Sequence, residues 1–387
     1  MTSAAPVIVV APDSFKGSLA APVICESIRE GLRRVWPHAD VRACPMADGG
    51  EGTLDAVLSA AGGAASRLVH SVRGADGAPR NVAYGVFDRP EGETAVIEVA
   101  QIVGITDDAA MRTPVLDRTT TGLGELLRSL LDDGITRFMI GLGGSSTNDG
   151  GAGMLQALGV RLARRDGSVV APTPRGLAEL ESVDARDLDA RVAQAQITIM
   201  SDVSNPLCGP RGATAVFGPQ KGVAAHDVET IDATLAAFAR EVERALGRSV
   251  ANAPGAGAAG GLGFALQLVG ARFASGAGIV AELVGLDAAL QGADWAIAGE
   301  GRSDMQTLLG KAPLVVARRA AQAGVPVSLL SGSIDDAALP AFAAHFAGCF
   351  ALPAGPASLA SCIADAPRLL ADRAEQMGRL LNAARMK

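Results

Sequence analysis

Five short segments of this chain combine acids, cations, hydroxyls and glycine at spacings that suit anion chemistry. Asp13-Ser14-Phe15-Lys16-Gly17-Ser18 sets a carboxylate, a cation and two hydroxyls ahead of a helical pattern, where backbone N–H groups favour an anion. Asp48-Gly49-Gly50-Glu51-Gly52-Thr53 packs three glycines around two acids. Glycine lets backbone N–H groups approach a ligand closely, and the acids are hard oxygen ligands for Mg²⁺. The densest segment is Gly141-Leu142-Gly143-Gly144-Ser145-Ser146-Thr147-Asn148-Asp149-Gly150-Gly151, whose amides and three consecutive hydroxyls suit a phosphate cradle. Ser201-Asp202-Val203-Ser204-Asn205-Pro206 offers Asp202 as metal ligand or general base, with Asn205 as a second ligand. Gln220-Lys221-Gly222 adds a lysine, a residue type that normally faces solvent. Gly299-Glu300-Gly301-Arg302-Ser303-Asp304-Met305-Gln306-Thr307, with Lys311 beyond, brings Arg302, which can clamp a carboxylate or phosphate bidentately. Taken singly, each segment also suits a capped turn, an Asx-turn or a surface ion-pair cluster.

Their shared position carries more than their composition. The β-branched run at 7–10 precedes the first segment, and strand-like runs at 41–43, 138–140, 197–200 and 295–298 precede the others. Two further strand signals, 325–330 and 349–352, follow the last. In doubly wound α/β folds the ligand loops lie at the carboxyl ends of the strands. Two strands from the N-terminal part and three from the C-terminal part predict a five-stranded doubly wound parallel sheet built from 1–65 and 287–387. The middle, 66–286, is then a second α/β domain inserted into the first and carrying the GGSSTND loop. Helices are expected at 123–131 and at 227–246, the latter with Val228, Ile231, Leu235, Phe238 and Val242 on one face. Ser18 is the expected N-cap of a helix running to Arg34, and Thr53 opens another.

Composition narrows the function classes. A chain of 387 residues fits about two domains. Its 34 basic and 41 acidic residues give a net charge of −7, which argues against a nucleic-acid or anionic-membrane surface yet permits a local cationic pocket. Aromatics are only 3%, so stacking platforms for bases are not expected. The five cysteines form no CxxC pair, which points away from a zinc cage or disulfide framework and towards a reduced cytoplasm. The segment 1–6 has no basic region ahead of its apolar run and is not expected to be a signal peptide. The uncharged stretch 249–271 holds PGAGAAGGLG and reads as a glycine-rich loop leading into a helix rather than a membrane span. Within it, 255–260 satisfies GxGxxG literally, but no strand precedes it, so a dinucleotide fingerprint is not supported. The four histidines are scattered, and neither a Walker A loop nor a GxSxG elbow occurs.

Read together, APDSFKGSL (11–19), PMADGGEGT (45–53), TTGLGEL (120–126), GLGGSSTNDGGAGML (141–155), DVSNPLCGPRGA (202–213), FGPQKG (217–222), PGAGAAGGLG (254–263) and GEGRSDMQTLLGKAP (299–313) resemble the glycerate kinase family of bacterial glyoxylate and sugar-acid catabolism. The resemblance spans nearly the whole chain in order. Ser146 stands where Ala is common, Ser201 and Ser204 flank the aspartate where Cys and Asp are frequent, and Gln101-Ile102-Val103-Gly104 replaces a more usual Ser-Gly context. None of these departures removes a charged motif residue.

The resemblance implies ATP- and Mg²⁺-dependent phosphorylation of D-glycerate, on the 2-hydroxyl, by a flavodoxin-like domain with an inserted second domain. The glycine and hydroxyl density of Gly143, Gly144, Ser145, Ser146, Thr147, Asn148 and Asp149 assigns them to the nucleotide phosphates. Lys16 and Arg302 are the expected cations on the glycerate carboxylate or the transferred phosphoryl. Asp48, Asp202 and Glu300 are candidates for Mg²⁺ or for the base, with Asp202 and Asp48 placed among the catalytic residues. Asp13, Ser14, Glu51, Asp304 and Gln306 are expected to contact the acceptor. Glycerate and nucleotide are the implied partners, with no nucleic acid and no membrane, and a homodimer is left open. Phosphorylation at the 3-hydroxyl, a silent sugar-acid sensor and a nicotinamide oxidoreductase are the competing readings.

Overall fold

Val7–Pro12 is a strand because its apolar residues are buried on both faces of a parallel sheet: Ile8, Val9 and Val10 are wholly inaccessible. The computed structural model describes residues 5–385; 1–4, the start of the segment expected not to be a signal peptide, lie outside the described residues. The chain divides into two contact units, one built from residues up to Gly62 and from Ser275 onward, the other from Gly63–Ala274.

In the first unit Val7–Pro12 pairs in parallel with Asp40–Ala43 on one side and Trp295–Gly299 on the other. Val327–Ser331 and Gly348–Ala351 extend the sheet beyond Trp295–Gly299, all parallel. Numbered in chain order within this unit, the strands run 2-1-3-4-5, the flavodoxin-type doubly wound order. The order reverses between Val7–Pro12 and Trp295–Gly299, the switch point at which doubly wound sheets place their ligand crevice. Ala21–Arg33 and Ala366–Arg385 pack together over one face, with Ile24, Ile28 and Leu32 meeting Leu370, Ala374 and Met377. Gly31 permits that approach, since a Cβ there would lie 2.0 Å from the Ala371 carbonyl oxygen.

Two details depart from the sequence reading. The first helix begins at Ala21 behind Ala20, not at Ser18. The Phe15–Leu19 bridge folds Ser18 into a tight turn, where its buried hydroxyl has no partner. The units also divide at 62/63 and 274/275, where the sequence reading put 65/66 and 286/287. Gly276–Leu283 belongs with the first unit because it packs on Thr53–Ala61 and Ala312–Gln322.

The second unit is built on a mixed six-stranded sheet, in the order 272–274, 196–200, 137–141, 92–98, 79–89, 65–73. The first four strands are parallel to their neighbours; Pro79–Arg89 pairs antiparallel with both Gly92–Glu98 and Ala65–Arg73. The two outer strands were not legible in the sequence. Ala65–Arg73 is largely exposed and carries no clean apolar alternation. Thr121–Asp132 packs closely on Ala152–Ala157, and Gly124 lies where a Cβ would be 2.4 Å from the Met154 carbonyl oxygen. Among the described residues no helix is long and apolar enough to cross a membrane.

Candidate functional site

The sheet reversal of the first unit gathers three of the predicted acids. Val7–Pro12 ends in Asp13 and Trp295–Gly299 ends in Glu300, held side by side by the hydrogen bond from the Asp13 amide to the Gly299 carbonyl, 2.8 Å. Asp13 is 2% exposed, and its Oδ1 accepts the Ser14 amide at 2.6 Å. Lys16 reaches the Asp48 carboxylate at 3.4 Å, and the other Asp48 oxygen accepts the Gly50 amide at 3.0 Å. Glu300 is buried, accepting from Ser303 Oγ at 3.0 Å and Thr307 Oγ1 at 2.6 Å, with Lys311 Nζ 3.8 Å away. Ser303 Oγ is also 2.7 Å from Ser331 Oγ, so the last residue of Val327–Ser331 braces the same group.

Burial pushes the Asp13 carboxyl well above the usual carboxylate range, and the neighbouring Asp48 and, more weakly, Glu300 push it further, against Lys16. Burial also raises Glu300, while Thr307, Lys311 and Ser303 pull it down. Burial lowers the Lys16 ammonium, but Asp48 and Asp13 outweigh it and hold the amine above its ordinary value. The crevice therefore carries more acid than its burial favours, and a cation arriving there is stabilised by all three carboxylates.

The other residues expected here have divided roles. Ser14 Oγ donates to the Glu51 carbonyl at 3.2 Å and ties the first two motif loops together. Asp304 caps its own helical turn, accepting from the Gln306 amide at 2.8 Å while its own amide donates to Thr307 Oγ1 at 3.1 Å. The Gln306 side chain is exposed, as is Arg302, whose Nε lies 3.9 Å from Asp304.

In the second unit the GGSSTND loop joins Arg137–Gly141 to Ala152–Ala157. Gly143 and Gly144 are accessible, and Ser145 is 5% exposed. Ser146, Thr147, Asn148 and Asp149 are wholly buried, so their side chains hold the loop in shape. Ser146 donates from both its amide and its hydroxyl to the Val103 carbonyl, at 2.8 and 2.9 Å. Asp149 accepts from the Thr120 amide (2.8 Å), Thr120 Oγ1 (2.7 Å), the Gly151 amide (3.1 Å) and the Gly153 amide (3.2 Å). Burial raises the Asp149 carboxyl, and these four donors offset part of the rise. Asn148 Nδ2 donates to Thr214 Oγ1 at 3.0 Å, while Asn148 Oδ1 and Thr147 Oγ1 are buried without a partner.

The glycine-rich 254–263 segment packs directly behind this loop. Gly150 donates to the Gly260 carbonyl at 2.9 Å, and a Cβ on Gly260 would lie 2.0 Å from the Thr147 oxygen. A Cβ on Gly261 would lie 2.5 Å from Gly150 Cα. The literal GxGxxG is thus a close-packing device for another loop, and the turns that contain it follow no strand.

Lys221 corrects the sequence reading most sharply. It is 2% exposed rather than solvent-facing, and its Nζ reaches Ser145 Oγ at 3.1 Å and the Thr147 carbonyl at 2.7 Å. Arg118, equally buried, donates to the carbonyls of Ser146 and Lys221, both at 2.9 Å. No spacing signal in the chain marks either residue; TTGLGEL and FGPQKG stand next to or around them without indicating burial. Asp202, by contrast, is exposed on the loop after Gln196–Met200, and Asn205 Nδ2 is engaged by the Arg211 carbonyl at 2.8 Å.

Among the described residues no group of three or more Asp, Glu, His or Cys side chains is arranged to hold a metal ion. Of the predicted metal ligands, Asp48 and Glu300 lie in the first unit with Asp13, and Asp202 lies in the second. Mg²⁺ is commonly held by one or two carboxylates together with substrate phosphates; Asp48 and Glu300 are carboxylates of the first unit, and both raise the proton affinity of Asp13.

The glycerate kinase family model matches residues 8–382 of this chain. A glycerate kinase of Bacillus subtilis (strain 168) is 44% identical over 330 residues, covering 85% of both chains. A glycerate 2-kinase of Escherichia coli (strain K12) is 40% identical over 85% of this chain and 86% of its own. A crystal structure of a protein designated glycerate kinase 2 from Salmonella typhimurium LT2 superposes with a TM-score of 0.83 at 38% identity, covering 99% of this chain and 100% of the other.

Proposed function

We propose that this chain, which belongs to the glycerate kinase family, transfers the γ-phosphoryl group of ATP to the 2-hydroxyl of D-glycerate, yielding ADP and 2-phosphoglycerate. The observation that carries the reading is the acid–lysine crevice at the sheet reversal of the first unit: Asp13, Asp48 and Glu300 with Lys16 and Lys311. Phosphoryl transfer asks for positioning, cations on the phosphates and a group that takes the hydroxyl proton.

Lys16 and the exposed Arg302 are assigned to the glycerate carboxylate and the transferred phosphoryl. Asp13, with Ser14, Glu51, Asp304 and Gln306 around it, is assigned to the acceptor. Asp13 takes the proton of the attacking hydroxyl, because its raised carboxyl binds a proton more readily than an ordinary aspartate. Asp202 is the competing base, and a near-unchanged kcat in Asp202→Asn eliminates it from that role. Asp48 and Glu300 would hold Mg²⁺, with Asp202 as a further candidate ligand. Held there, the ion would supply charge neutralisation for the phosphates.

The nucleotide phosphates are assigned to the accessible Gly143, Gly144 and Ser145, with Ser146, Thr147, Asn148 and Asp149 bracing the loop. Proteins bearing the same family name support the substrate, and the five free thiols are compatible with work in a reduced cytoplasm. Phosphorus NMR of the product of ATP, Mg²⁺ and D-glycerate tests activity and position together. A 2-phosphoglycerate resonance is expected. A 3-phosphoglycerate resonance overturns the regiochemistry, and absence of glycerate-dependent ADP overturns the kinase reading in favour of a sugar-acid binding protein.

A further inference from the structure

Two cations are buried against the GGSSTND loop with no carboxylate bonded directly to either. Lys221 and Arg118 are both buried against it, and both bond only neutral oxygens: Lys221 to Ser145 Oγ and Thr147 O, Arg118 to the carbonyls of Met111, Thr113, Ser146 and Lys221. The charged groups facing the Lys221 amine are Asp149, from the loop leading into Ala152–Ala157, and Arg118, from the turn ahead of Thr121–Asp132. Asp149 is occupied by four donors from Thr120, Gly151 and Gly153 and makes no direct bond to either cation. The Lys221 amine therefore has Arg118 and Asp149 as its charged neighbours and no carboxylate bonded to it; Glu98, buried at the end of Gly92–Glu98, is the other buried carboxylate of this unit. Burying a cation without a paired anion is costly, and a loop held only for shape could use neutral donors instead.

We infer that Lys221 is the positioning residue of the nucleotide subsite: anchored to Ser145 Oγ and Thr147 O, its ammonium sets the loop amides and supplies the positive charge that a polyphosphate meets at Gly143, Gly144 and Ser145. This rests on the assignment of that loop to the nucleotide. A consequence follows from the burial. The Lys221 amine is lowered to about 7, by burial first and then by Arg118, against Asp149. A bound polyanion stabilises the charged amine, so nucleotide binding and protonation of Lys221 strengthen each other. Above pH 7 the free protein presents a neutral amine, and each further pH unit weakens nucleotide binding up to about tenfold until the bound-state value is reached.

The test is calorimetric titration of the full chain with Mg-ATP between pH 7.0 and 8.5, where ATP itself is fully ionised, with glycerate turnover measured in parallel. For the unmodified chain Kd is expected to rise about tenfold across that range. Lys221→Met is expected to bind about tenfold more weakly at pH 7.0, with a flat pH dependence and an unchanged glycerate KM. Ser145→Ala, which keeps the lysine and removes one acceptor of its ammonium, is expected to shift the midpoint to lower pH. It carries the test should Lys221→Met not fold. Unaltered affinity in Lys221→Met, weaker affinity with the original pH slope, or an unmoved midpoint in Ser145→Ala overturns the role of Lys221 while leaving the nucleotide loop standing. Failure of the unmodified chain to bind ATP at any pH overturns both.

Discussion

Substituting Gly260 by alanine isolates what the glycine-rich segment does for the GGSSTND loop. Gly260 has φ +67°, and a Cβ there would lie 2.0 Å from the Thr147 carbonyl oxygen and 2.8 Å from Asn148 Cα. Reaching ordinary contact requires Thr147 O to retreat by roughly 1.4 Å. That oxygen accepts the Lys221 ammonium at 2.7 Å, so the displacement disturbs the geometry of that bond. Gly247 supplies the control. It has φ +65° just past Val228–Leu246, and a Cβ there meets nothing within 4 Å. Both alanines incur the left-handed backbone penalty, about 1 kcal/mol. Only Gly260→Ala adds overpacking, a further ~1–3 kcal/mol, and only it disturbs a charge-assisted bond worth about 1.5–3 kcal/mol. Thermal unfolding is best followed by circular dichroism, since Trp36 and Trp295 both lie in the first unit. Gly260→Ala is expected to unfold clearly below Gly247→Ala and to raise the nucleotide KM tenfold or more with glycerate KM within twofold. Equal losses of stability together with an unchanged nucleotide KM would refute the idea that this segment sets the loop.

The remaining predictions concern charge. Because Lys221 titrates near 7 when folded and near 10.4 when unfolded, the unfolded chain binds more protons between those values. Stability should therefore rise with pH from about 7 to about 10, with a contribution of up to ~1.4 kcal/mol per unit that Lys221→Met abolishes; denaturant midpoints across that window check it, and an identical slope in the variant defeats it. Thr307→Val removes the 2.6 Å bond to Glu300 and should raise that carboxyl further, moving the acidic limb of kcat/KM to higher pH; an unmoved limb would place Glu300 outside the titrating machinery. Lys16→Met and Arg302→Ala should each raise the glycerate KM about tenfold at constant ATP KM if they hold the carboxylate, whereas unchanged values would move the clamp elsewhere. Chelation with EDTA should stop turnover and added Mg²⁺ restore it, measured by glycerate-dependent ADP release; activity surviving chelation would remove the metal from the reading.

Much of the architecture was legible because it depends on local pattern. The β-branched run at 7–10, the WAIA run at 295–298 and the polar, glycine-rich segments following them are short-range signals of strand ends, and these fall at the reversal of a 2-1-3-4-5 sheet. The hairpin of Ala65–Arg73 and Pro79–Arg89 was not legible, since an exposed edge strand needs no apolar alternation. Nor was the capping role of Asp304, whose backbone N–H donates to the Thr307 hydroxyl.

The sequence by itself determined the family, the doubly wound class and the set of loops able to meet anions, because motif spacing and strand-to-helix succession are properties of neighbours along the chain. Tertiary structure decided which members of those loops are open and which are internal braces. Lys221 and Ser145 are 76 positions apart, and nothing local to either marks the burial that brings them to 3.1 Å. The same holds for GxGxxG at 255–260, where Gly257 lies against the Pro206 carbonyl and Gly260 against the Thr147 carbonyl. Burial and charge balance are sums over residues brought together from distant positions, so the altered proton affinities of Asp13 and Lys221 emerge only once the sheets are closed.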